Sequence, residues 1–105
     1  MKINIINTTT DSTKTAQNIA QYLLKNALSP CVQIVQNINS IYKWKGDVNN
    51  SNEYLMIIKT LPRHVDECKK CILEYHNYDI PEIIVTKGEI LTDMYRDWFH
   101  NNSTQ

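Results

Sequence analysis

The sequence contains little glycine, little proline and no excess of charge of either sign. Two glycines in 105 residues leave no glycine-rich loop of the kind that cradles phosphate groups, which excludes the common nucleotide-binding motifs. Lys plus Arg number 11, as do Asp plus Glu. The basic residues are dispersed and form no stripe that could follow a phosphate backbone. Nucleic acids and anionic membranes are therefore not expected as partners.

Long apolar runs are also missing. No run approaches the ~20 residues that a membrane-spanning helix needs. The apolar start of the chain is broken at Asn4 and Asn7, short of the ~7–15 apolar residues of a secretory signal. We therefore expect a cytoplasmic protein. The three cysteines are an odd number, which argues against a disulfide framework.

Hydrophobic residues make up 42% of the chain, which is typical of a globular protein, and the length suits a single domain over residues 1–105. Apolar spacing predicts strands and helices in the order β-α-β-β-α-β, followed by a third helix. The expected ranges are 2–8, 13–26, 32–44, 53–60, 61–75, 83–86 (or as far as 90) and 91–100. This order predicts an α+β, ferredoxin-like sandwich with four antiparallel strands and both main helices on one sheet face.

The two middle strands are expected to form a hairpin with a polar turn over residues 46–52. Gln36-Asn37 interrupts the first of them and predicts a β-bulge. The apolar residues of that strand have one parity and are expected to share a face: Val32, Ile34, Ile38, Tyr42 and Trp44.

The third strand is apolar on both faces. Tyr54–Ile58 contains no polar residue, whereas a strand in a small antiparallel sheet usually has one solvated face. With both main helices on one side, the other face would be left bare as a large apolar patch. We therefore expect copies of the chain to associate as a cyclic homo-oligomer with their sheets facing inward.

Few residues suggest chemistry. Cys68–Cys71 matches C-x-x-C but falls within a helix and lacks a second pair, so we interpret both thiols as core residues. The three histidines form no metal-binding pattern, and His76, in the loop before the fourth strand, is the best candidate ligand. Glu53 and Lys59 share strand parity and Glu82 begins a strand, which fits either ion pairs at a subunit rim or a charged cleft between subunits.

Two aromatic residues near the tip of the hairpin, Tyr42 and Trp44, are typical interface anchors. The sequence shows no nucleophile–base set and no pair of carboxylates at catalytic spacing. We therefore do not expect an enzyme.

Several segments in order resemble the CutA family of divalent-cation tolerance proteins, over nearly the whole chain. They are Cys31-Val32, Ser40–Gly46, Glu53, Lys59-Thr60 and Tyr78–Ile84. The resemblance implies a ferredoxin-like fold, a homotrimer similar in architecture to the PII signalling proteins, and a role in tolerance of copper and other divalent metal ions. It also implies that certain residues lie near clefts between subunits, namely Tyr42, Trp44, Glu53, Lys59, Tyr78, Pro81 and Glu82.

The chain departs from the family pattern where a metal site would be expected. Many bacterial members have Cys late in the first strand, where this chain has Asn7, and His-Pro-Tyr where it has His76-Asn77-Tyr78. A copper site of that kind would keep only His76, and soft-metal ligands are otherwise lost. The resemblance implies no required cofactor. The bound ion that it suggests is a divalent cation such as copper.

Three functions remain open at this point. The first is a non-enzymatic homotrimer that responds to divalent metal ions. The second is a PII-like sensor that binds a small molecule in clefts between subunits. The third is a trimeric scaffold for a protein partner.

Overall fold

The fold is a four-stranded antiparallel sheet with three helices, seen in a computed structural model that describes residues 1–104. Gln105, the last residue of the predicted domain, lies outside the described residues. The strands are β1 (Lys2–Thr10), β2 (Cys31–Trp44), β3 (Asp47–Thr60) and β4 (Ile84–Glu89), and the helices are α1 (Thr13–Lys25), α2 (Val65–Tyr75) and α3 (Asp93–Asn101). The sheet order is β2-β3-β1-β4. The predicted β-α-β-β-α-β order with a terminal helix is confirmed.

Helices α1 and α2 cover one face of the sheet. Alternate residues of β1 and β3, such as Ile6 and Ile58, form a buried core with Leu23 of α1 and Ile72 of α2. Helix α1 begins where the Ser12 hydroxyl accepts a hydrogen bond from the Thr15 amide at 3.1 Å, which satisfies one of the free donors of its first turn. The spacing of apolar residues in these helices is thus explained by a single buried stripe on each.

The second face is not wholly bare, contrary to the prediction. Phe99 of α3 is fully buried against Ile3 of β1 and Leu61, at the end of the face that α1 and α2 leave open. The helix forms a small second core there. The rest of this face, which includes Val35, Leu55 and Ile57, stays partly exposed and is called the open face below.

The hairpin turn is shorter than predicted. It consists of Lys45-Gly46, both with positive φ (52° and 84°), and β3 begins at once with Asp47. Two left-handed residues in a two-residue loop give the turn whose twist matches that of the paired strands. The polar residues 49–52, predicted as turn, therefore lie in a strand because β2 supplies their backbone partners.

The predicted bulge at Gln36-Asn37 is confirmed, and it corrects the predicted face of β2. Val35 pairs with Leu55 but Ile38 pairs with Glu53, so β2 has one extra residue between the two pairs. One extra residue reverses the alternation of side chains beyond it. Val32 and Ile34 face the helices, whereas the later apolar residues face the open side. These are Ile38, Tyr42 and Trp44.

Beyond the bulge, the hairpin leaves the sheet as a two-stranded arm. Strand β1 pairs with β3 only as far as Tyr54, and residues 47–53 of β3 pair with β2 alone. We call residues 38–53 the arm. It gives the molecule an extent of 47 Å along its longest axis, against 25 and 21 Å along the others. A two-stranded ribbon by itself is only marginally stable in water.

Candidate functional site

A pocket of about 590 Å³ opens where the arm leaves the sheet. The arm provides one wall, and the loop between α2 and β4 provides the opposite wall. Of the seven residues that the resemblance places near clefts between subunits, five line this pocket within one chain, and Lys59 and Pro81 do not. The five are Tyr42, Trp44, Glu53, Tyr78 and Glu82. The bulge brings this about, because it turns Tyr42 and Trp44 to the same face as Glu53.

Glu53 is the buried centre of the pocket. Its side chain is 7% exposed, and its Oε2 accepts a hydrogen bond of 2.6 Å from the Tyr78 hydroxyl. Burial raises the pKa of Tyr78 above its usual value, and the bond to the Glu53 carboxylate raises it further. The phenol therefore stays protonated through the physiological range and acts as a fixed donor to Glu53.

The loop that carries Tyr78 is held by His76. The His76 Nε2 lies 2.9 Å from the Thr9 carbonyl oxygen, and the Tyr78 amide donates to Nδ1 at 3.0 Å. Nδ1 must then accept and Nε2 must donate, which fixes the neutral tautomer of the ring. The ring also contacts that of Tyr78, with centroids 4.9 Å apart. His76 thus positions Tyr78, and a metal ion at either nitrogen would have to replace one of these bonds.

Asn77 adds a second connection between the same loop and the end of β1. It donates to Asp11 Oδ1 at 2.7 Å and accepts from the Thr10 hydroxyl at 2.6 Å. In the sequence, Asn77 differs from other positions only as a departure from a family pattern. Its partners lie about two thirds of the chain away, and no local spacing indicates such a contact.

Lys59 lies on the open face but does not line the pocket. It pairs with Ile5 on one side and with Cys31 on the other. It is six positions from Glu53 along β3, which is roughly 20 Å along a strand. Within one chain, the two predicted cleft residues of β3 are therefore apart.

The cysteines of the C-x-x-C pair are core residues, as predicted. Cys68 and Cys71 are buried against α1 and the sheet. Burial raises the pKa of both thiols, that of Cys71 to about 12, so neither supplies a thiolate at neutral pH.

In residues 1–104, no three His, Cys, Asp or Glu side chains are grouped so that they could hold a metal ion. The same part of the chain has no helix that is long and apolar enough to cross a membrane.

Comparison with known proteins agrees with this architecture. The family model of the CutA1 divalent ion tolerance protein matches residues 4–102. A divalent-cation tolerance protein CutA from Thermus thermophilus is 33% identical over 95 residues, which cover 90% of this chain and 92% of that protein. The solved structure of the divalent ion tolerance protein CutA1 from Ehrlichia chaffeensis has a TM-score of 0.91 and 31% identity, and covers 98% of this chain and 96% of that one.

Relatives from plants are longer. The chloroplastic protein CutA of Arabidopsis thaliana is 29% identical over 99 residues, and the match covers 94% of this chain but only 54% of that protein. Taken with the fold and the family match over residues 4–102, these likenesses show that the chain belongs to the CutA1 divalent ion tolerance protein family.

Proposed function

We propose that this chain forms a homotrimer that contributes to tolerance of divalent metal ions and catalyses no reaction. The observation that carries the proposal is the unpartnered arm next to a half-exposed open face. Ile41 and Val48 of the arm are 66% and 71% exposed, and Trp44 is 48% exposed. Apolar surface of this extent is stabilised by contact with another protein surface. The names of the relatives supply the link to divalent ions.

Assembly is tested by the mass of the particle in solution. We expect sedimentation velocity at micromolar concentration to give one species with three times the chain mass of 12.3 kDa. The result should not change between physiological and high salt, because apolar burial rather than ion pairing is the proposed cause. A monomer under these conditions would contradict the proposal.

Direct copper binding is tested at His76. A metal ion there would have to displace the Tyr78 amide or the Thr9 carbonyl, so we expect His76 to contribute no tight site. Copper and zinc isotherms from calorimetry should then be the same for the wild-type protein and for His76→Ala. A matched control is His100→Ala, since His100 is exposed on α3. Stoichiometric micromolar binding that only His76→Ala removes would instead assign a direct metal site to His76.

A second candidate function is a small-molecule sensor, and the pocket favours it. Its volume of about 590 Å³ is within the range of roughly 300–1,000 Å³ that small-molecule sites have. It combines aromatic walls with a buried carboxylate, which is the usual composition of a site that both holds and orients a ligand. If the protein is such a sensor, tolerance of divalent metal ions would be an indirect effect of ligand sensing.

A trimeric scaffold for a protein partner is the third candidate, and the exposed apolar side chains of α3, such as Met94, would supply its surface.

A further inference from the structure

We propose that the hydrogen bond between Tyr78 and Glu53 is a latch that holds the arm, hinged at its base, in one direction relative to the sheet. The direction of the arm then decides whether copies of the chain close into a single kind of assembly. This consequence rests on the proposed homotrimer, whereas the latch itself consists of contacts within one chain.

The hinge lies at the base of the arm, where β3 loses regular strand pairing on both sides. On one side, β1 pairs with β3 only as far as Tyr54. On the other side, Tyr54 lies opposite the bulge of β2. The pairs next to the bulge are Val35 with Leu55 and Ile38 with Glu53. A bulge interrupts the ladder of backbone hydrogen bonds and lets a strand bend. The arm can therefore change direction here while the sheet and the arm each keep their own pairing.

The arm is not packed into either core of the chain. Within residues 1–104, both buried cores consist of residues outside the arm. The large apolar side chains of the arm are exposed, those of Ile41, Trp44 and Val48 among them. The direction of the arm in a single chain is therefore set by its two strands and by the contacts at its base.

The Tyr78 hydroxyl connects the base of the arm to the loop between α2 and β4. It donates to Oε2 of Glu53 at 2.6 Å, and the Glu53 side chain is 7% exposed. A short hydrogen bond to a buried carboxylate is strong, because the acceptor is charged and water does not compete for it. Glu53 is one residue beyond Tyr54, the last residue of β3 that pairs with β1, so the bond spans the hinge.

The loop that carries Tyr78 is itself fixed to the sheet. His76 Nε2 lies 2.9 Å from the Thr9 carbonyl oxygen. Asn77 accepts from the Thr10 hydroxyl at 2.6 Å and donates to Asp11 Oδ1 at 2.7 Å. Two successive loop residues thus bond to the end of β1, beside the hinge. The latch is therefore anchored to the sheet at one end and to the arm at the other.

A fixed arm direction matters for assembly because a ring closes only when each copy meets the next at the same angle. Arms that point in several directions would give open chains or particles of mixed size. Only the fraction of chains whose arm points in the right direction can join a ring, so the apparent affinity falls in proportion to that fraction. Loss of the latch should therefore weaken assembly while the cores stay folded.

Tyr78→Phe tests the latch, because it removes the hydroxyl and keeps the ring. The chain has two tryptophans, Trp44 near the tip of the arm and Trp98 on α3. Fluorine NMR of protein labelled with 5-fluorotryptophan therefore observes the arm and α3 separately. We expect one Trp44 resonance in the wild-type protein and a broadened or split one in Tyr78→Phe, with Trp98 unchanged. In sedimentation, the variant should dissociate at a concentration at least about tenfold higher than the wild-type protein does.

Further variants separate the hydrogen bond from other effects of the substitution. Glu53→Gln keeps an oxygen that accepts from Tyr78 and should keep a single Trp44 resonance, whereas Glu53→Ala should behave as Tyr78→Phe does. Asn77→Ala loosens the loop and should broaden the Trp44 resonance less; Asn77 is exposed, so this variant should fold normally. Tyr22→Phe is the matched control, since Tyr22 is an exposed residue of α1 outside the pocket and the arm. It should give the wild-type spectrum.

The outcomes distinguish the latch from the homotrimer on which its consequence rests. A Tyr78→Phe protein with the Trp44 resonance of the wild-type protein would overturn the latch and leave the homotrimer in place. A changed Trp44 resonance with unchanged assembly would keep the latch and overturn its link to ring closure. A monomeric wild-type protein would contradict the homotrimer, and the Trp44 resonances of the two monomers would still show whether Tyr78 holds the arm.

Discussion

Shortening the arm is expected to convert the assembled protein into folded monomers. The change is a double deletion of Ile41–Trp44 and Asp47–Asn50, which removes equal lengths from the two paired strands. Ser40 and Ser51, which already pair with each other, would then flank the Lys45-Gly46 turn. The loss of Ile41, Trp44 and Val48 removes the most exposed apolar surface of the arm, and at about 25 cal/mol per Å² this surface dominates the proposed contact.

The shortened chain should still fold, because neither buried core includes an arm residue. Sedimentation velocity should therefore give a monomer, while circular dichroism keeps the helix signal of α1 and α2. Leu73→Ser serves as the control, since Leu73 is 54% exposed on α2, away from the arm, and its removal should leave the particle mass unchanged. An arm-deleted protein that sediments as the wild-type particle would show that the open face alone is sufficient for assembly.

Element order was predictable because it depends on local periodicity. The apolar stripe of α1 and the dense apolar segment of β3 each predict their secondary structure from a short stretch of sequence. The bulge was predictable from the sequence. The sheet face on which the arm side chains lie was not predictable from odd or even residue numbers. Counting parity straight through Gln36-Asn37 places Trp44 with Val32, whereas the extra residue puts it with Glu53.

The predicted position of the hairpin turn was wrong for a different reason. Composition favoured a long loop over the polar residues 46–52, because Asn, Asp and Ser are common in turns. The deciding feature is the pair of left-handed residues at Lys45 and Gly46, and Lys rarely adopts that conformation. Pairing along the whole of β3 is a long-range property of the hairpin that composition does not show.

The candidate site was predicted as a set of residues but not as an arrangement. Family resemblance named Tyr78 and Glu53, yet their hydrogen bond joins positions 25 residues apart in different elements. The positioning role of His76 depends on the Thr9 carbonyl, a backbone atom that no motif identifies. Only the fold shows that the candidate metal ligand already has both nitrogens in use.

The second large expected effect is the loss of stability when the contact between α3 and the sheet is removed. Helix α3 has four large apolar residues, Met94, Tyr95, Trp98 and Phe99. Met94 is 88% exposed, and of the four only Phe99 is fully buried, against Ile3 and Leu61. Phe99→Ala is therefore expected to lower the free energy of unfolding by about 3–5 kcal/mol, as removal of a buried aromatic ring usually does. That is a large part of the ~5–15 kcal/mol by which a domain is typically stable.

Urea unfolding at one fixed protein concentration measures the effect, since the stability of an assembled protein depends on concentration. Phe99→Leu is the matched control and should cost less than about 1.5 kcal/mol, because it keeps an apolar side chain of similar size in the same contact. Met94→Ala should change stability by no more than about 0.5 kcal/mol, since that side chain lies in solvent. A loss below about 1 kcal/mol for Phe99→Ala would mean that the second core is not what holds α3, and that its exposed apolar side chains, Trp98 and Met94 among them, are instead covered in the assembled protein.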